Sequence, residues 1–305
     1  MVRKAKFHPE NPPPKSTPAR TDRQKKEVKT MKTWDVKVLY LGNITANLSF
    51  IWPAGMPPLE EDFAMSAPYL GFLLQGPGRN ILIDTGISEK FIVDGKAWGA
   101  LPAEGGRNFM LQALEKEGLG PGEIDTVVYT HLHNDHAANC RLFEKARVVF
   151  QKDEWLNLMS PLPVQKLRGD YDPAVIEELE GMKKLPVSGD FDLEDGIRLF
   201  KTPGHSLGSQ SVAVNTRKGV VVFVGDLCLF NFMAFPGTTE ITGMDGRSHP
   251  IPAAPPALGP AVPHSIIYNF FDYYDSIYKI KAVASRDEPG FIIPGHEPSL
   301  IVTGI

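Results

Sequence analysis

Short apolar runs rich in β-branched residues recur along most of the chain: "VKVLYL" (36–41), "GFLLQ" (71–75), "NILIDTG" (80–86), "TVVYT" (126–130), "ARVVFQ" (146–151), "IRLF" (197–200), "SVAV" (211–214), "GVVVFVGD" (219–226) and "GFIIPG" (290–295). Each is bounded by Gly, Pro, Asn or Asp, which predicts strands and turns. Helical spacing appears between some of them. Residues 107–118 place Phe109, Leu111 and Leu114 on one side and stop at a glycine. Residues 173–184 open with a proline, as a first helical turn allows, and 265–284 form a long aromatic-rich candidate helix. Strands that alternate with helices only in places predict packed sheets flanked by helices, not a doubly wound sheet. Two segments interrupt the pattern as insertions, 50–70 and the proline-rich 231–264. Long irregular stretches in a compact domain are commonly functional, so both are placed near a candidate site.

Composition narrows the class without naming a chemistry. With 305 residues, 42% hydrophobic and 22% charged, the chain can bury a sizeable core. Two cysteines give no disulfide framework, and no run reaches the ~18 apolar residues of a membrane span. The net charge of -4 argues against a general nucleic-acid binder. It hides an asymmetry, since residues 1–32 carry ten Lys/Arg against three Asp/Glu. We therefore divide the chain into a basic, proline-rich arm (1–32) and one catalytic domain (33–305). The arm has no apolar signal core and too many prolines for an amphipathic leader helix, so the expected location is cytoplasmic. Expected partners are a small-molecule substrate, with no nucleic acid and no membrane. A homodimer, its insert covering a partner's site, is a further expectation from composition.

The chemistry is concentrated in "THLHNDHAAN" (130–139), which holds three of the eight histidines in six positions. Imidazoles bring donors and acceptors that a plain core leaves unsatisfied. His131 and His133 alternate along an extended stretch and point the same way, while Asp135 and His136 fall at the following turn, where the chain is expected to enter a helix. Two such pairs of nitrogen and oxygen donors suit two divalent ions, Zn²⁺ first, with iron, manganese or cobalt open. Three more segments repeat the strand-then-turn design: "TPGHSLGS" with His205, "VVVFVGDLC" with Asp226, and "FIIPGHEP" with His296. Of the remaining histidines, His249 and His264 bracket the proline-rich stretch and read as loop residues. Cys140 and Cys228 read as small buried residues.

In this order, HxHxDH, PGH, GD at a strand end and a final PGH, preceded by "LIDTG" (82–86), resemble the metallo-β-lactamase superfamily. The resemblance runs from about Trp34 to the end. It implies a four-layer αββα sandwich with a metal site at one edge. Carried over residue by residue, it places His131, His133 and His205 on one metal and Asp135, His136 and His296 on a second, with Asp226 bridging and Asp84 orienting ligands. The implied reaction is hydrolysis by a metal-bridging hydroxide, with Asp135 as the catalytic proton shuttle.

Within the superfamily the chain most resembles the N-acyl homoserine lactonase-type enzymes, which "THLHNDHAAN", "TPGHSLGS" and "GD" match, and the helical, nuclease and flavin additions of other branches are not expected. That implies a dinuclear hydrolase opening a lactone or related cyclic ester or amide. One departure stands out: where those lactonases carry a substrate-binding tyrosine, three residues after the bridging aspartate, this chain has Leu229. Loss of such a donor costs about 2.7–4 kcal/mol in an oxyanion site unless replaced; Tyr268 is one candidate replacement. Phe50, Trp52, Met56, Phe230, Phe232 and Phe235 are expected to form an apolar substrate wall. A linear ester, thioester or phosphodiester hydrolase, or an iron-dependent oxidoreductase on the same fold, are the alternatives.

Overall fold

The computed structural model describes residues 31–305 apart from Pro77 and Gly99, and these form one compact unit. The first thirty residues of the basic arm lie outside the described residues. Two sheets carry the fold. One has eight strands, in the order Lys96–Ala97, Leu101–Gly105, Asp35–Asn47, Ala64–Gly76, Arg79–Ile83, Thr126–Val128, Arg147–Gln151 and Lys183–Val187. The other has five, in the order Ile292–Pro294, Gly219–Gly225, Gln210–Thr216, Ile197–Lys201 and Phe191–Glu194.

Period-2 alternation explains why the sheets stack. In the strand Ala64–Gly76, Leu70, Phe72 and Leu74 enter the cluster between the sheets, while Tyr69 and Leu73 enter the one under the outer helices. In Gly219–Gly225, Val221 and Phe223 face the other sheet, while Val222 and Val224 face the helix Phe270–Val283 side. Phe72 and Phe223 meet across the gap with ring centroids 4.6 Å apart. Side chains on successive residues of a strand point to opposite faces, so strands with apolar residues on both faces are buried on both. The result is three apolar layers between four layers of structure, the expected αββα sandwich.

Several local expectations change in the folded chain. The second half of the 50–70 segment is regular: Ala64–Gly76 pairs antiparallel with Asp35–Asn47 from Ala64 to Gln75. Alternation there is obscured because both faces are apolar. The 173–184 stretch splits into the helix Ala174–Glu180 and the strand Lys183–Val187. The helices Lys152–Met159 and Pro163–Arg168 were not read from the sequence. The 231–264 segment holds a short helix, Asn231–Ala234, and a hairpin of Glu240–Thr242 with Ser248–Pro250. No helix among the described residues is long and apolar enough to cross a membrane.

Strand ends position the chemistry. Asp84, His131, His205, Asp226 and His296 each follow within four residues of a strand's last residue. The two sheets are tied there: Gln210 donates its backbone N–H to Thr130 O at 2.8 Å and its side-chain amide to Tyr129 O at 2.8 Å.

Candidate metal centre

Seven side chains converge where these strand ends meet. His131, His133 and His205 bring ligand atoms within 4.8 Å of one another, as do His131, His136 and Asp226, and Asp135, His136 and His296. The structure thus brings together all seven of the sequence-derived candidates. The strand Thr126–Val128 ends before the motif, and residues 131–136 run through an extended piece into a turn. The expected helix after it is only the 3₁₀ turn Cys140–Phe143.

Hydrogen bonds on the far side of four of the rings fix which nitrogen faces inward. His205 Nδ1 lies 3.0 Å from Ile266 O, and His296 Nδ1 lies 2.9 Å from Pro68 O. A carbonyl only accepts, so each Nδ1 carries the proton. His136 Nδ1 is 2.9 Å from Asp84 Oδ2. Thr130 Oγ1 spends its proton on Asp84 Oδ2 at 2.6 Å, so it accepts from His131 Nδ1 at 3.1 Å. The opposite Nε2 of each of these four rings then faces another ligand atom of the cluster. His205 Nε2 is 3.2 Å from His131 Nε2 and 3.0 Å from His133 Nδ1. Asp226 Oδ1 is 3.1 Å from both His136 Nε2 and His296 Nε2. His133 Nε2, His136 Nε2 and Asp226 Oδ1 are buried with no hydrogen-bond partner. Imidazole nitrogens and a carboxylate crowded at this range fit divalent cations, with the outward bonds orienting the ligands.

The two halves of the cluster differ in charge. Burial drives His131 and His133 well below the ordinary imidazole range, helped by neighbouring imidazoles, and pushes His205 down to about 3. Burial opposes charging of His136 and His296 as well, yet Asp226 and Asp135 raise both. Burial would raise Asp226, but His296 and His136 hold it well below the usual carboxylate range. Burial raises Asp135, the least buried of the seven.

Local backbone serves these contacts. Asp84 sits at φ 56°, in the left-handed region, and its carboxylate also accepts from Thr130 N at 2.7 Å. Such a conformation is uncommon outside glycine and persists where surrounding bonds over-determine it. Gly295 is required for a different reason: a Cβ there would lie 2.4 Å from Asp226 Oδ1.

A cavity of about 500 Å³ opens onto His133, Asp135, Asp226 and His296. Leu48, Phe50, Met65, Trp98, Leu229 and Phe230 form its apolar wall, with Arg168, Asp170 and Ser265 as polar members. Of the expected wall residues, Phe50 and Phe230 line it. Phe232 is 2% exposed in the core, Trp52 packs on it at 5.3 Å, and Met56 joins the same cluster. Phe235 lies under the Lys281 ammonium, 5.1 Å from its ring centroid. Tyr268 reaches the cavity through Asp170, to which its hydroxyl donates.

Sequence reasoning missed several residues. His264 is the loop residue expected, but it is buried and donates its Nε2–H to Asp226 O at 2.8 Å. Its place at the end of a proline-rich stretch gave no signal of burial. Arg168, Asp170 and Glu154 lie in helices or turns that show no local mark of the site. Cys140 and Cys228 are buried and unpaired, as expected.

Comparison with known proteins agrees with this architecture. The chain is 28% identical over 202 residues to N-acyl homoserine lactonase AiiB of Agrobacterium fabrum, covering 61% of this chain and 71% of that protein. It is 26% identical over 190 residues to an N-acyl homoserine lactonase of Bacillus cereus, covering 60% and 72%. A solved N-acyl homoserine lactone hydrolase, with N-hexanoyl-L-homoserine bound at its catalytic metal centre, superposes with a TM-score of 0.64 at 20% identity, covering 88% and 94%. The dizinc quorum-quenching lactonase AidC superposes with a TM-score of 0.59 at 16% identity, covering 88% of each chain. Residues 70–296 match the family model, and with the fold and the histidine cluster already in place, the chain belongs to the metallo-beta-lactamase superfamily.

Proposed function

We propose that the chain is a dinuclear metal-dependent hydrolase that opens a lactone, or a related cyclic ester or amide, bearing an apolar substituent. The observation that carries this reading is the set of converging imidazole nitrogens and carboxylate oxygens at the floor of a largely apolar cavity. His131, His133 and His205 would hold one ion, Asp135, His136 and His296 the other, and Asp226 would lie between them. Zn²⁺ suits this nitrogen and oxygen set. Two such ions supply Lewis acidity and a water acidified towards neutral pH.

The chain's own groups do the rest. Asp226 is the charge shared by both halves, with Oδ1 towards His136 and His296 and Oδ2 3.7 Å from His205 Nε2. Asp135 lines the cavity and is the carboxylate placed to carry a proton to a departing alkoxide. Leu48, Met65 and Phe230 exclude water beside the reacting group and receive the apolar substituent. Leu229 presents no donor to a substrate carbonyl, and Asn47, Trp98, Arg168 and Ser265 are cavity residues whose side chains carry one. The relatives named as acyl homoserine lactonases support a lactone as substrate.

The test is metal content by elemental analysis, on protein purified without added metal, joined to a pH-stat panel of lactones. Two zinc-class ions per chain with acid release support the reading. One iron per chain without acid release overturns it in favour of oxygen-dependent chemistry.

A further inference from the structure

Glu154 sits behind the three-imidazole half of the cluster, in the first turn of the helix Lys152–Met159, and is fully buried. Its carboxylate accepts four hydrogen bonds. Oε1 takes Leu132 N at 3.0 Å and the Tyr171 hydroxyl at 2.7 Å. Oε2 takes the Ser206 hydroxyl at 2.6 Å and Gly208 N at 3.0 Å. Leu132 lies between His131 and His133, and Ser206 adjoins His205. Each oxygen therefore grips one of two loops that are distant in sequence and meet at this cluster. Tyr171 adds a second grip, its ring edge-on to His133 with centroids 4.5 Å apart.

From this we infer that Glu154 is a positioning residue, setting the distance between the His131/His133 loop and the His205 loop and so the affinity of one ion site of the two. The inference rests on the reading of His131, His133 and His205 as ligands of one ion. An apolar side chain would fill the same volume without the cost of burying a carboxylate. Only a carboxylate accepts from both loops at once, and four donors saturate its lone-pair directions. Burial raises its pKa while its four donors hold it down. The close approach also accounts for Gly208: a Cβ there would lie 2.1 Å from Glu154 N.

The consequence is selective. Glu154→Gln turns one of the two gripping atoms from acceptor to donor, facing a hydroxyl or N–H that also donates. Loss of an orienting partner typically weakens ion binding about 10–100-fold. The metal-stripped full chain is titrated with Zn²⁺ against a competing chelator, and the Co²⁺ absorption spectrum is recorded for the same variants. His205→Ala and His296→Ala identify which binding step belongs to which half. The expected result is a loss of about 10–100-fold in the His205 step, an altered Co²⁺ spectrum, and a His296 step at wild-type strength. Ser206→Ala, which removes one donor and keeps the carboxylate, gives a smaller loss in the same step.

Equal weakening of both steps, with a lowered melting temperature of the stripped chain, would show a general packing role and overturn the inference. Unchanged binding in both variants overturns it too. If Glu154→Gln does not fold, Ser206→Ala decides by the same criteria. A wild-type chain that binds fewer than two ions withdraws the dinuclear reading itself, an outcome visible before any variant is compared.

Discussion

The floor and the wall of the cavity are held in opposite ways. On the floor, His131, His136, His205 and His296 are each locked through Nδ1 to an oxygen behind them. Every floor residue except Asp135 is buried. The wall is apolar, without directional bonds, and at the rim Phe50 is 65% and Leu167 88% exposed. Directional bonds to partners that act as acceptors fix both ring orientation and tautomer, which chemistry demands. Dispersion and area burial fix neither, which leaves a wall able to accept different substituents. On this contrast, floor substitutions act on ion binding and kcat, whereas wall substitutions act on KM or, where the residue belongs to the core, on stability.

The largest effect is expected at Asp226. Asp226→Asn keeps the shape but removes the one charge shared by both halves of the floor. We expect kcat to fall by about 10³-fold or more on the lactone that the pH-stat panel ranks first, with both ion-binding steps weakened. In the stripped chain the Asp226 carboxylate also balances the charge it favours on His136 and His296, whose Nε2 atoms lie 3.1 Å from Oδ1. The stripped variant should therefore melt below the stripped wild type. Weakening of a single step would show that Asp226 belongs to one half only.

Next in size is Phe232→Ala, which tests where the wall ends. Phe232 stacks on Phe230 at 5.9 Å and meets Trp52 at 5.3 Å, inside the cluster behind the cavity. Truncating a buried phenylalanine costs about 3–5 kcal/mol. The melting temperature should drop while KM stays at its wild-type value. A KM increase without loss of stability would move Phe232 into the wall.

The same contrast explains what was legible in the sequence. Strand ends, turn glycines and histidine spacing are local features, and all seven floor residues carry them. Asp84 shares the mark, one residue beyond the strand Arg79–Ile83. The wall depends on which side chains of an irregular segment turn inward, and that is settled by tertiary packing. Phe50 and Phe230 line the cavity while Trp52, Met56, Phe232 and Phe235 pack behind it, although all six look alike as aromatic or apolar residues near a ligand motif. Glu154 was illegible for a third reason. It reads as an ordinary acidic residue in a helix's first turn until folding brings Leu132 and Ser206 to its two oxygens. The sheets themselves were legible where apolar runs were short and bounded, and were missed towards their edges, at Lys96–Ala97, Leu101–Gly105, Lys183–Val187 and Phe191–Glu194, where polar and charged residues break the apolar runs.

A smaller effect than either is expected at Asp84, whose role is to hold the floor and not to enter it. Its carboxylate accepts from Thr130 N, Thr130 Oγ1 and His136 Nδ1 at 2.7, 2.6 and 2.9 Å. Asparagine tolerates the left-handed backbone found here, so Asp84→Asn adds no strain. It halves the accepting oxygens, and we expect about 10–100-fold weaker ion binding, greatest in the step weakened by His296→Ala because His136 belongs to that half. Equal loss in the His205 step would mean that Thr130 transmits the change to His131 as strongly as the direct contact reaches His136.

The smallest effect separates rim from core most sharply. Phe50 ends the 3₁₀ turn Leu48–Phe50, lines the cavity and is 65% exposed, so Phe50→Ala should leave stability within about 0.5 kcal/mol. Its contribution should appear only as substrate contact. Each methylene buried against an apolar wall is worth about 0.8 kcal/mol, or roughly fourfold in KM. A lactone series of increasing acyl length should show that slope in the wild type and lose part of it in Phe50→Ala, with the shortest member unaffected. If the slope survives intact, the substituent runs along the buried side, past Leu48, Met65 and Phe230, and the exposed ring is only a lip on the cavity.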